Sequence, residues 1–168
     1  MRTLVLGIGN TILGDDGVGV SIARELDTKI RNDNVDVLDV NIDGLNLLEI
    51  IVGYDKLIVI DAIMTDEGDI GEIYRFKPEM ICDPSHTAIS PHHFNLVTTI
   101  EIGKKLFPNE MPGETVVYAV KVKDVTVVTE KMTKKVEEAI PEVVRLILEE
   151  LYSGGKQGFS ERDSICMV

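Results

Sequence analysis

The stretch Leu4–Val20, LVLGIGNTILGDDGVGV, decides how the rest of the chain is read. It opens on apolar residues, turns at Gly7 and Gly9, and presents two consecutive acids, Asp15 and Asp16, just before Val18 begins a stripe of helical period. Strand, glycine turn and helix in that order are the start of an alternating α/β chain. Gly7 and Gly9 match the beginning of the dinucleotide fingerprint G-x-G-x-x-G, but Ile12 stands where the third glycine belongs. A pyrophosphate seeks backbone N–H groups and the positive end of a helix dipole, and acid at that place repels it. A cation suits the loop better. Either aspartate alone can also serve as a helix cap, the simplest role for Asp15.

Outward from this stretch, apolar runs recur at TLVLGIG (3–9), VDVLDV (35–40) and KLIVIDAI (56–63), each followed by a segment of helical period. Near-continuous apolar runs predict parallel strands covered on both faces. Val18, Ile22, Leu26 and Ile30 fall four apart along one helical face, and GLNLLEIIVGY is a shorter helix. GEIYRFK (71–77) and TVVYAVKVKD (115–124) alternate, which predicts strands nearer a sheet edge, the second with Val117, Ala119 and Val122 facing in. Between them a helix starts with Ser90 as N-cap, Pro91 at N1, and His92 and His93 in the first turn. The last helix carries Val136, Ile140, Val143, Val144, Ile147, Leu148 and Leu151 on one stripe, with Pro141 expected to kink or split it. From Ser153 the chain loses periodicity and reads as a disordered tail, 153–168, after a single domain, 1–152. The fold class expected is an α/β three-layer sandwich: about five strands in a twisted, mostly parallel sheet, with helices on both faces.

Composition narrows the partners. The 168 residues carry 29 acids against 17 bases, a net charge of −12, and no basic cluster larger than Lys104-Lys105 or Lys134-Lys135. Such a surface repels phosphate backbones and anionic lipid, so neither nucleic acid nor membrane is an expected partner. Two distant cysteines, Cys82 and Cys166, make no zinc or redox motif, and Cys82 with His86 is a weak nucleophile pair. Met1-Arg2 leads directly into a strand without a signal-like apolar region, and no apolar run approaches about 18 residues, so a cytoplasmic protein is expected.

Three residues converge on the C-terminal edge of the expected sheet: Asp16 after the first strand, Asp61 closing the third, and His92 opening a helix. An ionised Asp61 in an apolar strand is costly unless paired, hydrogen-bonded or bound to a cation. His92 lies where the helix dipole disfavours the imidazolium and so favours the neutral ring a metal needs. Two carboxylates and an imidazole suit Ni²⁺, Zn²⁺ or Mn²⁺, and spacing alone does not choose among them. Without a metal, the carboxylates could share a proton and act as acid and base on water.

LVLGIGNTILGDDGVGV, LIVIDAI and ISPHHFNL, taken together and in this order, resemble the hydrogenase maturation proteases, endopeptidases that trim the C-terminal extension from the large subunit of nickel-iron hydrogenases. The similarity extends over roughly residues 1 to 150. The resemblance implies a twisted five-stranded α/β domain whose partner is a nickel-loaded large-subunit precursor. It also implies that Asp16, Asp61 and His92 bind the nickel presented by that substrate; either the metal polarises the carbonyl and activates water, or Asp16 and Asp61 are the catalytic acid and base and nickel is only the recognition signal. Other divalent ions such as zinc fit the same donors. Cleavage is expected after a His or Arg shortly past the substrate's last metal-binding cysteine motif. A DGGTxG-like loop selects substrate in many members; here DVNIDGLNLL (39–48) nominates Asp39, Asn41 and Gly44 for substrate binding. Gly44 fits that pattern, whereas Val40, Asn41 and Ile42 depart from it, leaving the particular hydrogenase open. The alternative is a non-catalytic nickel-binding assembly factor.

Overall fold

The computed structural model describes residues 1–41, 45–66, 68–78 and 91–153, apart from the side chains of 45, 91–95 and 153. Five strands, β1 (Thr3–Ile8), β2 (Val35–Val40), β3 (Lys56–Ile63), β4 (Ile73–Phe76) and β5 (Glu114–Lys121), form one sheet in the order β2-β1-β3-β5-β4. Four are parallel, and β4 runs antiparallel to β5 at the edge. The helices are α1 (Val18–Lys29), α2 (Leu45–Ile51), α3 (Pro91–Leu106) and α4 (Lys134–Ser153).

Each face of the sheet has its own core. Val5, Ile58, Ile60, Val116 and Tyr118 pack with α1 and α4, while Leu4, Leu6, Leu57, Val59 and Val117 pack with α2 and α3. Strand side chains alternate between faces, so covering both leaves all of β1 and β3 buried. The stripe Val18, Ile22, Leu26 and Ile30 is buried as its period predicts. Among the described residues, no helix is long and apolar enough to cross a membrane.

Three expectations need correction. β2 is not covered on both faces: it is the outer strand beside β1, its residues are half-buried or exposed, and Leu38 is open to solvent. β5 is not a half-exposed alternating strand. It lies between β3 and β4 with Val116–Lys121 all buried, because α4 covers the face of Val116, Tyr118 and Val120 while Val117 and Ala119 pack in the α2 and α3 core. Val122 follows Val116 and Tyr118 at even spacing and packs with them rather than with Val117 and Ala119. Pro141 does not split the last helix, which runs unbroken from Lys134 to Ser153. Proline within a helix costs about 3 kcal/mol, but Val136, Val143, Val144 and Ile147, on both sides of it, are buried at roughly 1.5–3 kcal/mol each. Burial outweighs the lost backbone bond.

Candidate active site

In a doubly wound sheet, ligands bind outside the carboxyl ends of the strands where the winding reverses. Here the chain winds from β1 outward to β2, then returns to β3 and continues through β5 on the other side. The reversal lies between β1 and β3. Asp16 lies in the segment that follows β1 and Asp61 on β3, so the two acids flank the reversal.

Asp16 stands in a 3-10 turn, Gly14–Gly17, that connects β1 to α1 and lies against β3. Glycine makes the turn possible. Gly9 has φ +143°, and a Cβ there would stand 1.9 Å from the Asp16 carbonyl oxygen, so only a residue without a side chain allows the approach. A Cβ on Gly19 would meet the carbonyl oxygens of Ile8 and Ile60 at 2.3 and 2.4 Å, which brings the start of α1 directly onto the ends of β1 and β3. Asp16 is 2% exposed, and its Oδ2 accepts a 2.8 Å hydrogen bond from the Asn10 N–H.

Asp61 is 1% exposed, and its Oδ1 accepts the Ala62 N–H at 2.7 Å. It does not close β3, as expected, because pairing with β5 carries the strand two residues further, to Ile63. Leu57, Val59 and Ile63 share its parity and pack with Leu96 and Ile100 of α3, so Asp61 belongs to the face that α3 covers. That helix begins at Pro91, as its sequence predicts, with His92 as its second residue. The His92 side chain lies outside the described residues, as do Ser90, Cys82, His86 and Gly44 altogether. Among the described residues, no three His, Cys, Asp or Glu side chains form a metal-sized group.

Of the residues nominated for substrate binding, Asp39 lies on β2 and Asn41 just beyond it. Asp39 pairs with Gly7 in the sheet, and its Oδ2 accepts bonds from Arg24 Nε at 3.2 Å and a terminal guanidinium nitrogen at 2.9 Å, tying α1 to the edge strand. Asn41 is exposed immediately beyond β2.

Asp15 departs from the expected cap of its own helix. The N-cap of α1 is Gly17, without a side-chain bond. Asp15 is 5% exposed, and its carboxylate accepts both the N–H of Thr133 at 2.6 Å and the Thr133 hydroxyl at 3.1 Å. These partners are 118 residues apart, and no periodicity links them.

A doubly wound α/β domain with buried carboxylates at its switch point, in place of a phosphate-binding glycine loop, is the class that fold and site define. The family model described as hydrogenase maturation protease (HycI) matches residues 20–150. The hydrogenase 2 maturation protease of Escherichia coli K12 is 34% identical over 113 residues, covering 67% of this chain and 68% of that protein. The solved hydrogenase maturating endopeptidase HybD from E. coli superimposes with a TM-score of 0.78 at 28% identity, covering 92% of this chain and 94% of its own. HycI from Thermococcus kodakarensis, 23% identical and covering 89% of this chain and 92% of its own, shares the fold with a TM-score of 0.71. The chain belongs to the hydrogenase maturation protease family.

Proposed function

We propose that this protein is the cytoplasmic endopeptidase that removes the C-terminal extension from a nickel-iron hydrogenase large-subunit precursor once nickel has been inserted. The observation that carries this reading is the burial of Asp16 and Asp61 at the switch point of a domain whose family consists of hydrogenase maturation proteases.

Peptide hydrolysis requires a base to take a proton from the attacking water and an acid to return one to the departing amine. Asp16 and Asp61 are the groups assigned to this work. Water adds to the scissile carbonyl carbon as a carboxylate accepts its proton; the C–N bond then breaks as that proton passes to the nitrogen. This assignment places the chain with aspartic-type peptidases. Nickel belongs to the substrate: the oxygen donors of Asp16 and Asp61 and the imidazole of His92 suit a borderline divalent ion, and zinc fits the same set. A metal held there supplies polarisation of a nearby carbonyl. Asp39, on the edge strand beside β1, and Asn41, just beyond that strand, are assigned to substrate contact together with Gly44.

Intact mass spectrometry of nickel-loaded and nickel-free precursor incubated with the protein tests the proposal. Loss of a short C-terminal peptide from the loaded form alone is the expected result. Unchanged mass with a stable complex indicates an assembly factor, and equal cleavage of both forms contradicts nickel recognition.

A further inference from the structure

We propose that Asp15 is a positioning residue for Asp16, acting through Thr133 at the start of α4; the proposal rests on the reading of Asp16 as a reacting acid. Both oxygens of the buried Asp15 carboxylate are occupied by one residue, through the Thr133 N–H and hydroxyl. Two contacts to one partner fix the direction of the carboxylate as well as its distance. Thr133 is itself immobilised, since its carbonyl oxygen accepts the N–H groups of Val136 and Glu137 and thereby starts α4. The same two segments are joined again nearby: Gly14 N–H donates to the Thr129 carbonyl at 2.6 Å, and Thr129 N–H donates to that of Ile12 at 2.9 Å.

The loop from Ile12 to Asp15 is therefore stitched to 129–133, and α4 is anchored by the buried Val136, Val143 and Ile147. Asp16 is the next residue along the chain, its Cα about 3.8 Å away from that of Asp15, so a turn of Asp15 carries Asp16 with it. Capping does not account for this arrangement. Asp15 makes no cap bond to α1, and the N–H it accepts belongs to the residue before α4 rather than to the first turn of that helix. The link holds the acid-bearing turn against a rigid base, which is what preorganisation of a reacting group requires.

Steady-state processing of nickel-loaded precursor, with each variant verified as folded at the assay temperature, tests the link. Asp15→Ala and Thr133→Ala are expected to lower kcat on the order of 10- to 100-fold, while KM stays within about twofold. Thr133→Ser retains the hydroxyl and should process at close to the wild-type rate. The double variant should be no slower than the slower single variant, because Asp15→Ala already removes both bonds from Thr133, including the one that Thr133→Ala removes. Folded variants with wild-type kcat, or losses that multiply, overturn the proposal. Should Asp15→Ala fail to fold, Thr133→Val against Thr133→Ser makes the same comparison. Inactive wild-type protein contradicts the processing reading instead, and the link is then tested by amide exchange at Asn10, whose N–H donates to Asp16. Faster Asn10 exchange in folded Asp15→Ala supports it; unchanged exchange overturns it.

Discussion

Acids are buried in two regions of this molecule, and their surroundings differ. On the α4 face, where β3 and β5 begin, Glu150 accepts Lys56 Nζ at 2.8 Å, Arg75 Nε at 3.0 Å and the Tyr118 hydroxyl at 2.5 Å. Lys56 also reaches Glu114, and the Arg75 guanidinium stands 5.9 Å from the centre of the Tyr118 ring. Burial raises the Glu150 pKa, but the bonds from Arg75, Lys56 and Tyr118 prevail and hold it below the ordinary value of 4.5. Burial and Glu150 together push the Tyr118 phenol well up, so it stays a donor. At the other end of the sheet, the bonds described at Asp16 and Asp61 come from the backbone amides of Asn10 and Ala62. Backbone amides orient a carboxylate, and the Glu150 network supplies two cations of its own. One region sets its buried acid among cations from the sheet; the other sets two buried acids beside the point where the winding reverses.

The largest expected effect falls on the second region. Asp61→Asn or Asp16→Asn should lower the processing rate by about 10²–10⁴, the range for loss of an acid–base group, while circular dichroism shows a folded protein. Glu150→Ala should do the reverse, because it removes the buried carboxylate that Lys56 and Arg75 share. Its cost is about 3–5 kcal/mol in urea unfolding, with processing retained at temperatures where the variant is folded.

The same network has a pH signature. A carboxylate whose folded pKa is depressed contributes stability above its unfolded value, here about 4.5, and loses it as pH falls through the lower folded value. Urea midpoints of the wild type should therefore fall below pH 4.5 more steeply than those of Glu150→Gln. Equal slopes would contradict this account of the network.

Smaller effects sharpen the geometry. Gly19→Ala drives a methyl group into the Ile8 and Ile60 carbonyls and should cost about 1–3 kcal/mol, with processing reduced in the folded fraction because α1 and its preceding turn must shift. Arg24→Ala removes an exposed ion pair with Asp39 and should cost less than about 1 kcal/mol in the same unfolding assay.

The contrast between these regions also explains what the sequence made legible. β1 and β3 were readable because two-sided burial leaves a continuous apolar run, and an acid inside such a run made Asp61 conspicuous. β2 has Val35, Val37 and Leu38 in its favour, yet strand order, which no local pattern encodes, puts it at the edge. Tyr118 and Lys121 made β5 look half-exposed; burial of Tyr118 depends on Glu150, which arrives 32 residues later on α4. Asp15 was legible as an acid near a helix start, but its partner Thr133 is distant in the chain and lies outside any motif. Local chemistry was readable wherever the neighbours in space are neighbours in sequence, and was hidden where α4 supplies the partner.

The most direct test of the distinction is the rate of C-terminal peptide loss from nickel-loaded precursor, followed by intact mass for Asp61→Asn and Glu150→Gln side by side, at a temperature where both are folded. The account predicts that Asp61→Asn leaves the precursor uncut and Glu150→Gln cuts it at the wild-type rate. Wild-type cutting by Asp61→Asn, or a folded but inactive Glu150→Gln, would contradict it.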